Sequence, residues 1–296
     1  MIIDLHVHSI CSDGQFTIKK IFKKASQIGI GLLSITDHDS IDCQDEASVL
    51  AQEYHIKYIY GLELSISFFL PDHESSKPIS LDFLAYDYDP ENSVLKNKLR
   101  DLKNHRRKRA EQILEKINVE LLKEGKKEFT SRDLSEIENS VDGAFGRPHI
   151  ADYMIKKGIV NERQEAFDRY LVKCNVPKMP LSLEEASSIV KNAGGKLFMA
   201  HPNHPHGTSL AKLTHDLKSQ QDIITESILP FIDGIECWHS AHDIMTTESY
   251  IEYAEKKSLM VSGGSDCHQQ PVIMGSVNVP EYVSEQFNIQ PTNNHS

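Results

Sequence analysis

The 296-residue sequence lacks a membrane-spanning segment and a secretory signal, and it has little positive charge. No apolar run approaches the roughly 20 residues that span a bilayer. No basic stretch followed by an apolar segment opens the chain, so no secretory signal is predicted. Positive charge is scarce, because 32 Lys and Arg face 43 Asp and Glu for a net charge of −11. This balance does not favour stable binding of duplex nucleic acid or a membrane surface, although bound metal ions would still attract an anionic substrate.

Cysteine is sparse as well, and the sequence contains no CxxC pair, internal repeat or low-complexity tract. The five cysteines are Cys11, Cys43, Cys174, Cys237 and Cys267. Their odd number and wide spacing are typical of reduced thiols rather than of a disulfide framework, and argue against a metal site made of cysteine alone. We therefore predict a cytoplasmic protein, and the sequence sets no oligomeric state.

Apolar strand-like segments alternate with helical segments along most of the chain. The strand-like segments are "IIDLHV", "GLLSIT", "IKYIYGLELS", "ISLDFLAYDYD", "GGKLFMAHP", "FIDGIECWHS" and "KSLMVSGGSD". This alternation predicts an α/β fold, a distorted (β/α)7 TIM-like barrel with a mostly parallel sheet. The rhythm stops between Pro90 and Pro180, where a long charged helix precedes shorter ones. We predict a barrel over 1–90 and 181–285, a helical insertion over 91–180 and a flexible tail over 286–296.

Ionisable side chains fall on almost every predicted strand, mostly at its carboxyl end, where α/β barrels gather their functional groups. They are His6 and His8, the run Asp37, His38 and Asp39, then Glu63, Asp82, His201, Glu236, His239, Asp266 and His268. Taken singly, each has an ordinary explanation, such as a histidine on a solvated strand face or a carboxylate in a turn. Their recurrence on six or more strands indicates a metal centre instead, because buried ionisable groups are costly unless they are paired or metal-bound.

The side-chain types at this rim narrow the choice of metal. Imidazoles and carboxylates without an obvious thiolate suit Zn²⁺, Mn²⁺ or Fe²⁺ rather than Ca²⁺. The candidates are too many for one ion, so two or three divalent transition-metal ions are predicted, with Glu63 able to bridge two of them. Clustered ions lower the pKa of a shared water and hold the oxygens of a phosphoryl or carbonyl group, which is the chemistry of a hydrolase.

Six segments in this order resemble the PHP family of metal-dependent phosphoesterases: "DLHVHSICSDG", "SITDHDS", "GLELS", "LFMAHP", "GIECWH" and "GGSDCH". The segment "AFGRPHIADYMIKKG" resembles the subgroup that includes nucleoside 3′,5′-bisphosphate phosphatases. The resemblance extends over residues 1–280 and implies a distorted seven-stranded barrel with a site for three metal ions. The ligands that it implies are His6, His8, Asp13, His38, Glu63, His201, Asp266 and His268.

One position departs from the family pattern. The family usually has a histidine in the fourth strand, where "LDFLAY" has Asp82. Aspartate binds the same metals, so Asp82 is a ninth candidate ligand. The alternatives are an altered metal preference or the loss of one ion.

These residues predict hydrolysis of a phosphate monoester by a hydroxide that bridges the metals. The predicted substrate is small and nucleotide-like, either a nucleoside 3′,5′-bisphosphate or an oligonucleotide end. The alternatives are a histidinol-phosphate-type or other small-molecule phosphatase, a metal-dependent hydrolase of non-phosphate bonds, and a non-catalytic PHP module. His239 is our candidate for the acid that protonates the leaving group, although it and the other rim histidines also fit a role as simple hydrogen-bonding residues.

The helical insertion supplies most of the candidate substrate-binding residues. Arg106 and Arg109 lie near one face of the long helix, and Arg147 and His149 open a later helix, where backbone N–H groups favour anions. His204 is a further candidate from the rim. Because arginine binds phosphate through paired hydrogen bonds, these residues predict a site for a second phosphate, with a solvated helix face as the alternative.

Overall fold

The computed structural model describes residues 1–70, 78–138, 146–177 and 179–287. The first part contains β1 (Ile2–Val7), α1 (Ile18–Ile28), β2 (Ile30–Ile35), α2 (Gln44–Glu53), β3 (Lys57–Tyr58), β4 (Gly61–Phe68) and β5 (Ile79–Tyr86). The helical middle contains α3 (Ser93–Lys123), α4 (Ser131–Glu138), α5 (Arg147–Lys156) and α6 (Arg163–Ala166), which continues as a π-helical turn over Phe167–Leu171. The last part contains α7 (Leu183–Asn192), β6 (Lys196–Met199), α8 (Leu217–Ile223), β7 (Gly234–His239), α9 (Ile244–Lys257) and β8 (Met260–Gly264).

The strands form two sheets. β1, β2 and β3 make a parallel three-stranded sheet, and the second sheet has the order β4-β5-β6-β7-β8. In that sheet β5 is antiparallel to both β4 and β6, whereas β6, β7 and β8 are parallel. Within the described residues, isolated bridges between Val7 and Cys267 and between His38 and Glu63 connect the two sheets.

The α/β class is therefore confirmed, whereas a closed TIM-like barrel is not. The single strand expected over "IKYIYGLELS" is two strands, β3 and β4, which belong to different sheets. The expectation of a mostly parallel arrangement is wrong around β5. Only residues 69–78 separate β4 from β5, fewer than the dozen or more that a parallel crossover needs, so the chain returns antiparallel.

Helix ends explain where several of the elements begin and stop. The Thr17 hydroxyl accepts a hydrogen bond from the Lys20 backbone N–H at the start of α1. Gly29 ends that helix at φ 79°, a left-handed conformation that glycine adopts without a steric penalty. The carboxylate of Asp243 accepts from the Thr246 N–H at the start of α9.

The long helix α3 packs on two different cores. Its first half contributes to the large hydrophobic cluster that fills the space beside the second sheet, through Leu95, Leu99 and Leu102. Its second half belongs to a separate cluster that lies between Ala110 and Cys174. The stretch around Arg106 and Arg109 therefore sits where the two cores meet. The division into a barrel and an insertion domain stays a prediction.

Most of the predicted tail at 286–296 lies outside the described residues. Its first two residues are packed rather than loose. The Gln286 side chain exchanges hydrogen bonds with the Val261 backbone, and the buried Phe287 ring packs on Tyr86 and Phe198. Across the part of the chain that the structure describes, every helix is too short or too polar to cross a membrane.

Two cysteines are paired, contrary to the expectation of reduced thiols. Cys11 follows β1 and Cys43 precedes α2, and the pairing of β1 with β2 brings these two segments side by side. Their sulfur atoms are bonded and their Cα atoms are 6.1 Å apart. Sequence spacing did not reveal this contact because the pairing of the strands creates it.

Candidate metal centre

Four side chains converge from the carboxyl ends of β1 and β8 and from near the start of β4. His6 Nε2 and His8 Nε2 are 3.1 Å apart. Asp266 Oδ1 lies 3.3 Å from the former and 3.2 Å from the latter. Glu63 Oε2 lies 3.5 Å and 3.1 Å from the same two nitrogens. These atoms form the centre of the cluster, and only Asp266 among the four has appreciable exposure.

The remaining predicted ligands surround this centre. His38 Nδ1 and His201 Nε2 lie 3.1 Å and 3.2 Å from the two oxygens of Glu63. Asp13 Oδ1 lies 3.3 Å from His268 Nε2 and 3.7 Å from His8 Nδ1. The structure thus brings together the eight side chains that the resemblance implies as ligands. Glu63 contacts imidazoles through both of its oxygens, which is the arrangement that a bridging carboxylate needs.

The pKa values of the clustered side chains depend on their mutual charges as well as on burial. Burial opposes the charged forms of His6 and Glu63, but the opposite charges around them outweigh it. The neighbouring carboxylates of Glu236, Asp266 and Glu63 raise the pKa of His6 well above its usual range. His38 and His6 in turn hold the pKa of Glu63 well below its usual value. The ionised, metal-binding form of Glu63 is therefore favoured, and a bound metal would displace the proton that His6 otherwise retains.

The donor set fits divalent transition metals. Ring nitrogens and carboxylate oxygens that face one another at 3.1–3.5 Å repel unless a proton or a cation lies between them. Ligands at 2.0–2.1 Å from a tetrahedral ion lie about 3.3 Å apart, which matches this spacing. The described residues contain several such groups that share members, including His6, His8 and Glu63 in one and His38, Glu63 and Asp82 in another. Imidazole with carboxylate suits Zn²⁺, Mn²⁺ and Fe²⁺.

The loops that carry these ligands are held by buried carboxylates. Asp37 accepts hydrogen bonds from the Ser9 backbone N–H at 2.7 Å and from the Ser9 and Ser12 hydroxyls, which orders the loop after His8. Asp4 accepts from the Ser265 N–H at 2.9 Å and from its hydroxyl at 2.7 Å, which orders the loop that carries Asp266.

Three of the six described non-glycine residues with positive φ lie at or beside the centre. Asp39, His201 and Asp266 have φ values of 45°, 25° and 55°, a region that residues with a Cβ rarely adopt. Such conformations persist only where the surrounding structure fixes them, and they cluster at functional sites.

Asp82 lies beside the centre in β5, where it pairs with Ser65 of β4. Its side chain is buried and one carboxylate oxygen is hydrogen-bonded to the Thr208 hydroxyl. Asp82 also belongs to a group with His38 and Glu63 that is compact enough to hold an ion. This position suits a ligand, and the role of Asp82 stays a prediction.

We expect Asp82→Ala to weaken the binding of one metal ion about tenfold and to lower activity in parallel. Metal content per chain, measured after gel filtration, tests this. Asp82→His restores the family's usual residue and should retain the ion. Thr208→Val is the matched control, because it removes the hydroxyl partner and leaves the carboxylate in place. Unchanged metal content and activity in Asp82→Ala would show that this carboxylate only packs against Thr208.

A cavity of about 520 Å³ adjoins the centre. Metal-centre residues line it together with residues of the helical middle of the chain. Among its lining residues are all five predicted substrate-binding residues: Arg106, Arg109, Arg147, His149 and His204. Met179, Thr208 and Lys212, which sequence reasoning did not single out, line it too.

The three arginines differ in how much of their bonding capacity is already used. Arg106 is ion-paired with Asp39. Arg109 donates through Nε to the Val176 carbonyl at 2.6 Å and through Nη2 to Asn175 Oδ1 at 2.8 Å. Arg147 is half-buried at the start of α5 with its guanidinium over the Phe167 ring. Burial lowers the pKa of Arg109 to about 10, and the nearby charge of Arg147 adds to this effect, so the two cations lie close together.

The histidines at the rim also differ in surroundings. His149 Nδ1 accepts from the Gly146 N–H and so caps α5. Burial and the neighbouring His201 and His239 lower the pKa of His204 to about 4, which makes it neutral at physiological pH. His239 lies 3.5 Å from Asp266 through Nε2 and also lines a second cavity with Trp238 and His242. Its role as the acid stays a prediction.

A buried cluster of histidines and carboxylates next to a cavity lined by arginines is the arrangement that a metal-dependent hydrolase needs. The PHP domain matches residues 4–278. The chain therefore belongs to the PHP family, as the sequence motifs indicated, and it is a metal-dependent phosphoesterase.

Named relatives agree with this assignment. The chain is 27% identical over 277 residues to a 5′-3′ exoribonuclease of Haemophilus influenzae, covering 90% of this chain and 89% of that protein. It is 26% identical over 282 residues to a 3′,5′-nucleoside bisphosphate phosphatase of Chromobacterium violaceum, covering 90% and 87%. A Bifidobacterium adolescentis structure, classed as a metal-dependent phosphoesterase, superposes with a TM-score of 0.76 at 26% identity, covering 96% of this chain and 94% of that one.

Proposed function

We propose that the protein hydrolyses a phosphate monoester of a small nucleotide that carries a second phosphate, such as a nucleoside 3′,5′-bisphosphate. The observation that carries this proposal is the shared cavity, in which the metal centre and the arginines of the helical middle face one space. A substrate with one phosphate would need only the centre. Arginine beside a helix N-terminus suits a second phosphate, and the name of the Chromobacterium violaceum relative supports this substrate class.

Different residues of the chain would bind the metal ions and orient the substrate. Two or three divalent ions bound by the cluster would activate water and neutralise the phosphoryl oxygens. His6, His8, Glu63 and the other clustered side chains hold those ions. Arg147 orients the remote phosphate, and the neutral His204 offers a hydrogen bond without adding charge.

We assign the protonation of the leaving group to His239. Its Nδ1 accepts a hydrogen bond from the Ala241 backbone N–H at 3.0 Å. In the neutral ring the proton therefore resides on Nε2, the nitrogen that points toward Asp266 at 3.5 Å. This tautomer presents an N–H to the centre, which can donate a hydrogen bond to the leaving oxygen. To transfer a proton as the general acid, the ring must first take up a second proton on Nδ1, and the Ala241 N–H must then turn away from that nitrogen.

The end of an oligonucleotide is the second candidate substrate. The Haemophilus influenzae relative is named a 5′-3′ exoribonuclease, and the end of such a strand also presents phosphates in sequence. The acidic net charge of −11 argues against a long nucleic-acid footprint, so only the terminal nucleotides would be held.

Phosphate release from a substrate panel tests the proposal. The panel contains nucleoside 3′,5′-bisphosphates, mononucleotides, short 5′-phosphorylated oligonucleotides, histidinol phosphate and an aryl phosphate. The proposal expects the highest kcat/KM for a bisphosphate. A preference for oligonucleotides would favour the second candidate, and equal rates on every ester would refute a role for a second phosphate. No release from any of them, in metal-loaded protein, would refute the proposed phosphatase activity.

A further inference from the structure

Glu236 of β7 is a fully buried carboxylate that touches the metal centre without joining it. Its Oε1 lies 2.9 Å from His6 Nδ1, and its Oε2 accepts the His201 backbone N–H at 2.8 Å. Within the described residues it is absent from every group compact enough to hold an ion. One carboxylate thus contacts two candidate ligands that come from different strands.

The contact with His6 decides which of its ring nitrogens is free. An ionised carboxylate only accepts hydrogen bonds, so the proton of a neutral His6 ring lies on Nδ1 and points at Glu236. Nε2 then keeps its lone pair. Nε2 is also the nitrogen that faces the carboxylates of Glu63 and Asp266 and the His8 ring at the centre.

We propose that Glu236 is a positioning residue that fixes the His6 tautomer, so that Nε2 is the metal-binding atom, and that anchors the His201 backbone at the same time. The proposal rests on the proposed metal centre. The second contact matters because His201 has φ 25°, a conformation that needs support from its surroundings. Hydrogen bonds from a ligating histidine to a carboxylate orient the ring and raise its basicity, and their loss usually weakens metal binding about 10–100-fold.

Glu236→Gln tests the role of the carboxylate directly, because it changes the hydrogen-bonding groups and hardly changes the size of the side chain. The His201 N–H can only donate, so the glutamine oxygen must face it. The glutamine amide N–H₂ then faces His6 Nδ1, which must accept, and the ring proton moves to Nε2. Binding a metal through Nε2 would now require the amide to turn and leave two N–H groups facing each other.

Zinc affinity of the full-length chain, measured by competition with a chelator, is the first measurement. We expect Glu236→Gln to bind zinc at least about tenfold more weakly than the wild type. Asp233→Asn is the matched control, because it removes a carboxylate charge immediately before β7. Among the contacts described, that carboxylate accepts only the Leu197 N–H, so this variant should bind zinc as the wild type does. Equal zinc affinity in Glu236→Gln and the wild type would overturn the proposal.

The second measurement is made on the wild type and does not depend on whether Glu236→Gln folds. Long-range ¹H–¹⁵N spectra of the zinc-loaded wild type, with His6 assigned by its loss in His6→Gln, should show a proton on Nδ1 and zinc on Nε2. Zinc on Nδ1 would overturn the proposal. A wild type that binds no divalent metal would refute the proposed centre itself, which is a different outcome from a wild type and a Glu236→Gln variant that bind equally well.

Discussion

His8→Ala is expected to lower kcat/KM by about 10³-fold or more on every phosphate ester that the protein hydrolyses. The His8 ring is fully buried and contacts the centre through both nitrogens, with Nε2 beside Glu63 and Asp266 and Nδ1 near Asp13. Its loss therefore disturbs two adjoining sets of donors rather than one. A bound ion contributes several kcal/mol of transition-state stabilisation, and about 4 kcal/mol corresponds to a factor of 10³.

Metal content gives the matching measurement. The wild type should carry at least two divalent transition-metal ions per chain, and His8→Ala should carry fewer. His215→Ala, which removes an exposed histidine, is the control for the loss of a single imidazole. Full activity of the wild type after exhaustive chelation, without metal being restored, would contradict the metal-dependent chemistry as well as the role of His8.

Much of the centre was predictable because its residues lie in short local motifs. His6 and His8 follow from a strand that places both at its carboxyl end. Glu63 was identified from its motif, but it lies near the start of β4 rather than at the carboxyl end of a strand. The Thr17 cap and the Gly29 stop of α1 are local signals of the same kind. Each of these signals spans only a few neighbouring residues, which is the range over which sequence patterns are informative.

The direction of β5 was not predictable from its apolar pattern. A strand buried on both faces has the same composition whether its neighbours run parallel or antiparallel. The relevant signal was the length of the connection from β4, which is too short for a crossover helix. The same limit applies to the expected TIM-like barrel, whose closure the structure does not confirm, because closure depends on how edges far apart in sequence meet.

Hydrogen-bond and ion-pair partners that are distant in the sequence could not be predicted for a related reason. Helical periodicity correctly placed Arg106 and Arg109 near one face, but not the Asp39 carboxylate or the Asn175–Val176 segment that they bind. Glu236 was located at the rim, yet its hydrogen bond to His6 joins residues 230 positions apart. Such contacts exist only after the sheets have formed, so they define the limit of motif-based reasoning.

Arg147 has the strongest case among the three arginines for binding substrate. Arg106 is ion-paired and Arg109 is bound to a neighbouring segment, so both already stabilise the junction between the two cores. Arg147 lies at the start of α5, where backbone N–H groups favour an anion, and it lines the cavity. The ring of Phe167 supports its guanidinium from one side, which orients the group without using its hydrogen-bond donors.

We expect Arg147→Ala to lower kcat/KM about 10- to 100-fold for a nucleoside 3′,5′-bisphosphate and to leave an aryl phosphate nearly unchanged. A charge-assisted contact to a remote phosphate is worth roughly 1.5–3 kcal/mol, and about 1.4 kcal/mol is a factor of ten. The aryl phosphate has no second phosphate to lose. Kinetics of Arg147→Ala and His8→Ala on both substrates decide the point, because the metal-centre variant should damage both alike.

Two further variants separate charge and packing from recognition. Arg147→Met keeps most of the apolar stem that packs near Phe167, so it should behave as Arg147→Ala does if the guanidinium binds phosphate, and as the wild type does if only packing matters. Arg132→Ala removes an arginine that is 88% exposed in α4 and controls for the loss of one positive charge from the helical middle of the chain. An equal loss for Arg147→Ala on both substrates would mean that this arginine supports the fold around the centre and does not recognise the second phosphate.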